Sequence, residues 1–186
     1  MINPMHRIFY IETFIYYFRG IDSCINLINK CIEDFEKHQI ENPTEEYPID
    51  IILNSLQDFI NFAGNISKML WPIKKEELFI SRGKEFRELI EVEDESILKN
   101  RDIRNAVEHF DEKLDLYLEK FPVGTIYPKY VGPYESYFNE CTHFFRAYFT
   151  DTSIFQILNT KIEINPLIIE LNKIRSVMAK KVDLPD

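Results

Sequence analysis

The sequence predicts a mainly α protein, an antiparallel bundle of about four long helices with a C-terminal β-hairpin and a closing helix. Three observations carry this. Apolar residues recur at alternating spacings of four and three along three long stretches. Only five glycines are present, too few for a loop-rich or all-β design. Strand-like, aromatic and β-branched patterning begins only at His143. The expected organisation is a helical bundle over residues 1–121. Residues 122–186 are expected to form a loop, a hairpin and a last helix packed on the bundle as one compact domain.

The first helix is expected from Met5 to Gln39, with Phe14, Phe18, Ile21, Ile25, Ile28, Ile32 and Phe35 forming a seam of seven-residue period. Glu41 to Tyr47, with Asn42-Pro43, reads as a loop. Pro48 suits the first turn of a second helix, whose stripe is Ile52, Leu56, Phe59, Ala63, Ile66 and Leu70. Trp71-Pro72 ends it, because a residue before proline avoids the α region. A third helix is expected over Lys75 to Ile90, with Gly83 inside it. A fourth is expected from Glu95 to Lys120, capped by Asp94 or Ser96, with its stripe at Ile103, Val107, Phe110, Leu114 and Tyr117. Pro122, Gly124, Pro128, Gly132 and Pro133 mark a loop, and Tyr134 to Glu140 allows a short helix. The hairpin turns at Thr150 to Ser153, and Lys161 to Ile164 continues its second strand. Asn165-Pro166 opens the last helix, which runs to about Lys181.

The net charge is −9, with acidic runs at Glu33 to Asp50 and Glu85 to Glu95. Long-range attraction of the whole molecule to nucleic acid is not expected. Lys99, Arg101 and Arg104 nevertheless form a small basic island suited to substrate binding. The three cysteines are odd in number and lack a CxxC pair, so a disulfide framework is not expected and a reducing cytoplasm is. No apolar run approaches the ~20 residues of a membrane span, so no membrane association is expected.

The chemistry-bearing stretch is Arg101-Asp-Ile-Arg-Asn-Ala-Val-Glu-His-Phe-Asp-Glu112. On a helix, Asn105 and His109 share a face and Arg104 lies about 100° to the side. This places all three at the edge of the apolar stripe. Arg104-Asn105-Ala-Val-Glu-His109 resembles the Arg, polar residue, spacer, His motif of the HEPN superfamily. The resemblance covers about residues 5–121 and is sharp only at 104–112; the hairpin and last helix lie outside it. It implies an antiparallel helical bundle that pairs as a homodimer, with two motif copies facing each other to cut RNA without a metal ion or cofactor. A neutralising protein partner fits a growth-inhibiting toxin of this type. The longer string, Arg-Asn-x-x-Glu-His-Phe-Asp-Glu, is also similar to bacterial helical proteins of unassigned function.

The residue types suit that chemistry. An imidazole at His109 takes the proton of a ribose 2′-OH or gives one to the leaving 5′-oxygen. Arg104 offers a permanent, forked positive charge to the phosphate. Asn105 orients the imidazole or binds ribose. A second interpretation is a non-catalytic interaction or regulatory protein. In it, Arg104 and Glu108 form an ordinary i,i+4 ion pair worth about 0.3–0.5 kcal/mol, and His109 is a packed polar residue. Glu108, Asp111 and Glu112 add negative charge that repels phosphate.

Other constellations point less far. Glu140-x-x-His143 has the spacing of a di-iron carboxylate motif but lacks a second copy. Cys141 beside His143 does not suggest a thiol enzyme next to a strand. Tyr127, Tyr130, Tyr134 and Tyr137 read as packing around prolines, or as a stacking surface for bases.

Overall fold

The computed structural model describes residues 3–42, 44–105, 110–121 and 123–182. Its helices are α1 (Pro4–Glu41), α2 (Asp50–Leu70), α3 (Glu77–Leu89), α4 (Arg101–Asn105), α5 (Phe110–Lys120) and α6 (Ile164–Val182). Four strands lie between α5 and α6: β1 (Thr125–Gly132), β2 (Thr142–Phe149), β3 (Ile154–Ile157) and β4 (Thr160–Glu163). The chain is mainly α, with one four-stranded mixed sheet.

α1 starts where Asn3 Oδ1 accepts the Met5 amide at 3.0 Å, with proline in its first turn. Its seam of Phe14, Phe18, Ile21, Cys24, Ile28 and Cys31 is buried against α2. α2 is the central helix. Ile52, Leu56, Phe59, Ile60, Ala63, Ile66 and Leu70 are all fully buried, which its apolar stripe dictates. α6 closes the same core with Leu167, Leu171, Ile174 and Met178, and the sheet adds Tyr148, Phe155, Ile157 and Ile162. Helices and sheet thus share one hydrophobic core.

The expected fourth helix begins later than its pattern suggested. Ser96 caps only a 3-10 turn, Ile97–Lys99, and α4 begins at Arg101. Asn100 Oδ1 accepts the Asp102 amide at 2.9 Å, so the cap of α4 is Asn100 rather than Asp94 or Ser96.

The C-terminal third holds more strand than expected. The supposed loop over 122–133 contains β1, which pairs in parallel with β2 from Thr125↔Thr142 to Gly132↔Phe149. The ladder skips Pro128, which has no N–H to give. An edge strand tolerates that gap, and proline is the reason the sequence reads as loop. The expected short helix at Tyr134 to Glu140 is absent. That segment is an irregular strap returning the chain between two parallel strands, and it buries Phe138 on the sheet. β2 and β3 pair antiparallel, but they sit inside a four-stranded sheet of order β1-β2-β3-β4 rather than in a lone hairpin. Residues 160–163 form their own strand, β4, after a turn at Leu158, whose φ is +54°.

Candidate functional site

The approach to the predicted site is pinned from two sides. Ser67 Oγ on α2 donates to the Leu98 carbonyl at 2.5 Å, and Ser96 Oγ donates to Glu170 Oε1 on α6 at 2.5 Å. Leu98 is fully buried and Ile103 nearly so, which anchors the 3-10 turn and α4 to α2.

Arg101, Arg104 and Asn105 all belong to α4, and Lys99 belongs to the turn before it. Lys99 Nζ lies 3.7 Å from Asp94, which also faces Arg87 at 3.8 Å, so this cation is partly committed to a surface ion pair. The side chains of Arg101 and Arg104 lie outside the described residues, and so does the whole of 106–109, including His109. Asn105 is half-buried and is the last described residue before 110.

Two further cations stand out in the structure, Lys113 at this point and Arg146 on the sheet. The Lys113 ammonium on α5 donates to the Asn105 carbonyl. Burial pushes its pKa down, opposed by the negative charge of Asp102. On the sheet side, Phe110, the first residue of α5, meets Phe145 edge-on at 5.4 Å. The Arg146 guanidinium lies over the same Phe145 ring at 5.3 Å and donates to Asn54 Oδ1 at 3.3 Å. Its buried Nε makes no hydrogen bond among the described residues. An arginine inside an aromatic strand is the one sequence signal that marks it.

His143 is engaged on both ring nitrogens. Nε2 lies 3.0 Å from the Val123 carbonyl, which only accepts, so Nε2 carries the proton. The Tyr117 hydroxyl therefore donates to Nδ1, at 2.9 Å. Both rings, with Phe121 and Leu114, line an apolar pocket of about 100 Å³. Burial raises the Tyr117 pKa. With both nitrogens occupied, His143 acts as a clamp between α5 and the sheet, not as a metal ligand with Glu140 or a partner of Cys141. Gly124 is needed here because a Cβ would run into the His143 ring and the Cys141 carbonyl, and its φ of +149° disfavours other residues.

The tyrosine-rich stretch is packing. Tyr127 stacks on Phe144 at 5.3 Å, and Tyr130 and Tyr134 meet Phe138 edge-on at 5.2 and 5.5 Å. The stacked face of Tyr127 is thus taken up by protein. Tyr134 and Tyr137 are exposed, at 47% and 62%, and Lys161 Nζ lies 5.8 Å from the Tyr134 ring centroid.

Compared with known proteins, the chain matches no family model, no curated protein and no solved structure. No described helix is long and apolar enough to cross a membrane.

Proposed function

We infer that the chain is a HEPN-like, metal-independent endoribonuclease that acts as a homodimer. The observation that carries this is the Arg104-Asn105-x3-His109 spacing, with Arg104 and Asn105 in a helical segment packed against α2. Lys113 supplies further positive charge at Asn105, in a molecule that is otherwise acidic.

In the proposed reaction the ribose 2′-oxygen attacks the adjacent phosphorus while His109 accepts its proton. The bond from phosphorus to the 5′-oxygen breaks, and a proton returns to that oxygen. The products are a 2′,3′-cyclic phosphate and a free 5′-hydroxyl. Arg104 stabilises the charge on the phosphorane oxygens. Asn105 orients the imidazole or holds ribose, and Lys99 and Arg101 bind flanking phosphates. Two facing copies provide an acid and a base together, which favours a two-fold dimer with α4 and α5 beside the axis. Leu118 and Ile126, 53% and 66% exposed beside the apolar pocket, suit such an interface. A neutralising protein partner and a reducing cytoplasmic location belong to the same proposal.

A non-catalytic interaction protein with a HEPN-like bundle is the second interpretation, favoured by Asp102, Asp111 and Glu112 around the motif. Purified protein incubated with mixed RNA in chelator separates the two. Cleavage to cyclic-phosphate ends, lost in both His109→Ala and Arg104→Ala, supports the nuclease. Intact RNA with all three proteins refutes it, and growth arrest in neither wild type nor variant would agree with that refutation.

A further inference from the structure

We propose that the outer edge of β1 is a docking site for an extended, basic segment of a partner protein, added as a fifth strand. β1 is the first strand of the sheet and, among the described residues, pairs only with β2, so its other edge has no neighbouring strand there. Beyond that ladder, the backbone bonds of β1 among the described residues are those of its two ends, Thr125 N–H to Cys141 and Thr150 N–H to Gly132. The free edge faces an open cleft of about 1040 Å³. Four consecutive strand residues, Lys129 to Gly132, line this cleft. Side chains alternate between sheet faces, so four in a row reach one cavity only when the strand is presented by its edge. Unpaired amides and carbonyls in a roomy cleft are the template that strand addition uses.

The facing wall determines what fits. It is the corner between α1 and α2, where Tyr47, Glu45, Glu46 and Asp50 line the cleft; Glu135, after β1, lines it too. Lys129 is the one cation lining the cleft among the described residues, and it is held by Asp50 at 2.7 Å. Glu45, Glu46 and Glu135 make no ion pair among the described residues. The occupant must therefore satisfy a strand edge and bring positive charge. A second copy brings the same carboxylates to the same edge and is repelled. The chain's own last four residues, Asp183-Leu-Pro-Asp186, carry two acids and a proline. RNA is repelled outright, so this site is independent of the nuclease proposal and stands whether or not the chain cuts RNA.

The test uses the full chain and a fluorescein-labelled octapeptide of alternating lysine and valine, read by anisotropy. Three comparisons accompany it: the same peptide with alternate backbone amides methylated, a glutamate-valine peptide, and spermine as competitor. Saturable binding of the lysine peptide is expected, with affinity falling at least about tenfold on methylation and again in the Glu45→Lys/Glu46→Lys protein. Amide exchange should slow at residues 126–131 only when peptide is bound. Equal binding of methylated and unmethylated peptide, or full displacement by spermine without slowed exchange, reduces the cleft to a polycation trap and overturns the proposal. Failure of any peptide to bind a folded protein overturns it too. So does concentration-dependent self-association abolished by the same charge reversals.

Discussion

Cys24 and Cys141 show how burial divides one residue type. Cys24 is 8% exposed, and burial, with the nearby negative charge of Asp58, pushes its pKa up to about 11. The thiolate is thus disfavoured in the fold. Its contribution to stability is complete below the ordinary thiol pKa of about 9 and is lost as pH rises toward 11, a difference of about 2–3 kcal/mol. Tyr130, pushed up to about 12, and Tyr148, raised by burial, extend the loss further into alkali. Thermal melts should therefore show a midpoint falling between pH 9 and 11, and falling less in Cys24→Ala. Exposed Cys141 should be alkylated in the native protein, with Cys24 and Cys31 protected until denaturant is added, as peptide mass spectrometry will show. Tyr117→Phe leaves the buried Nδ1 of His143 without its donor. Urea unfolding should register a loss of about 1–3 kcal/mol.

The elements are held by contacts between backbones as much as by apolar stripes. Gly83 sits in the middle of α3, where it costs about 1 kcal/mol relative to alanine. The reason for it lies in α2: a Cβ at Gly83 would stand 2.5 Å from the Leu70 carbonyl, which also accepts from Arg87. Gly83→Ala should therefore destabilise the protein, by about 1–3 kcal/mol, despite its better helix propensity. A rise in the urea midpoint would contradict this. Ser67 does the same for α4 by fixing Leu98. Ser67→Ala should loosen the 3-10 turn and speed amide exchange at residues 98–105 more than in α6.

At the scale of the whole molecule, one core spans helices and sheet, and the acidic surface has two faces of different character. The β1 cleft is acidic, whereas Lys113 brings a positive charge to the Asn105 carbonyl of α4. The dimer proposal predicts a two-fold species at tens of micromolar in sedimentation equilibrium. Leu118→Asp should shift it to monomer without loss of helical circular dichroism. A wild-type monomer at that concentration would remove the support for a shared active cleft.

The sequence by itself determined the helices, because a stripe of Phe14, Phe18 and Ile21, or of Ile52, Leu56 and Phe59, has one face to bury wherever it packs. It also carried the Arg104, Asn105 and His109 spacing, since residues four apart on a helix are neighbours by local geometry alone. Only the tertiary structure decided the sheet. β1 contains Pro128 and mostly exposed residues, and it becomes a strand because β2, 17 residues away, supplies its hydrogen bonds. The strap at 134–140 is held by Phe138 on Phe144, a contact with no local period. Lys113 and Arg146 likewise reach their positions through contacts 8 and 92 residues distant in the chain. Local patterning encodes what a segment does with its own neighbours; pairing, capping and charge placement across such separations depend on which segments the core brings together.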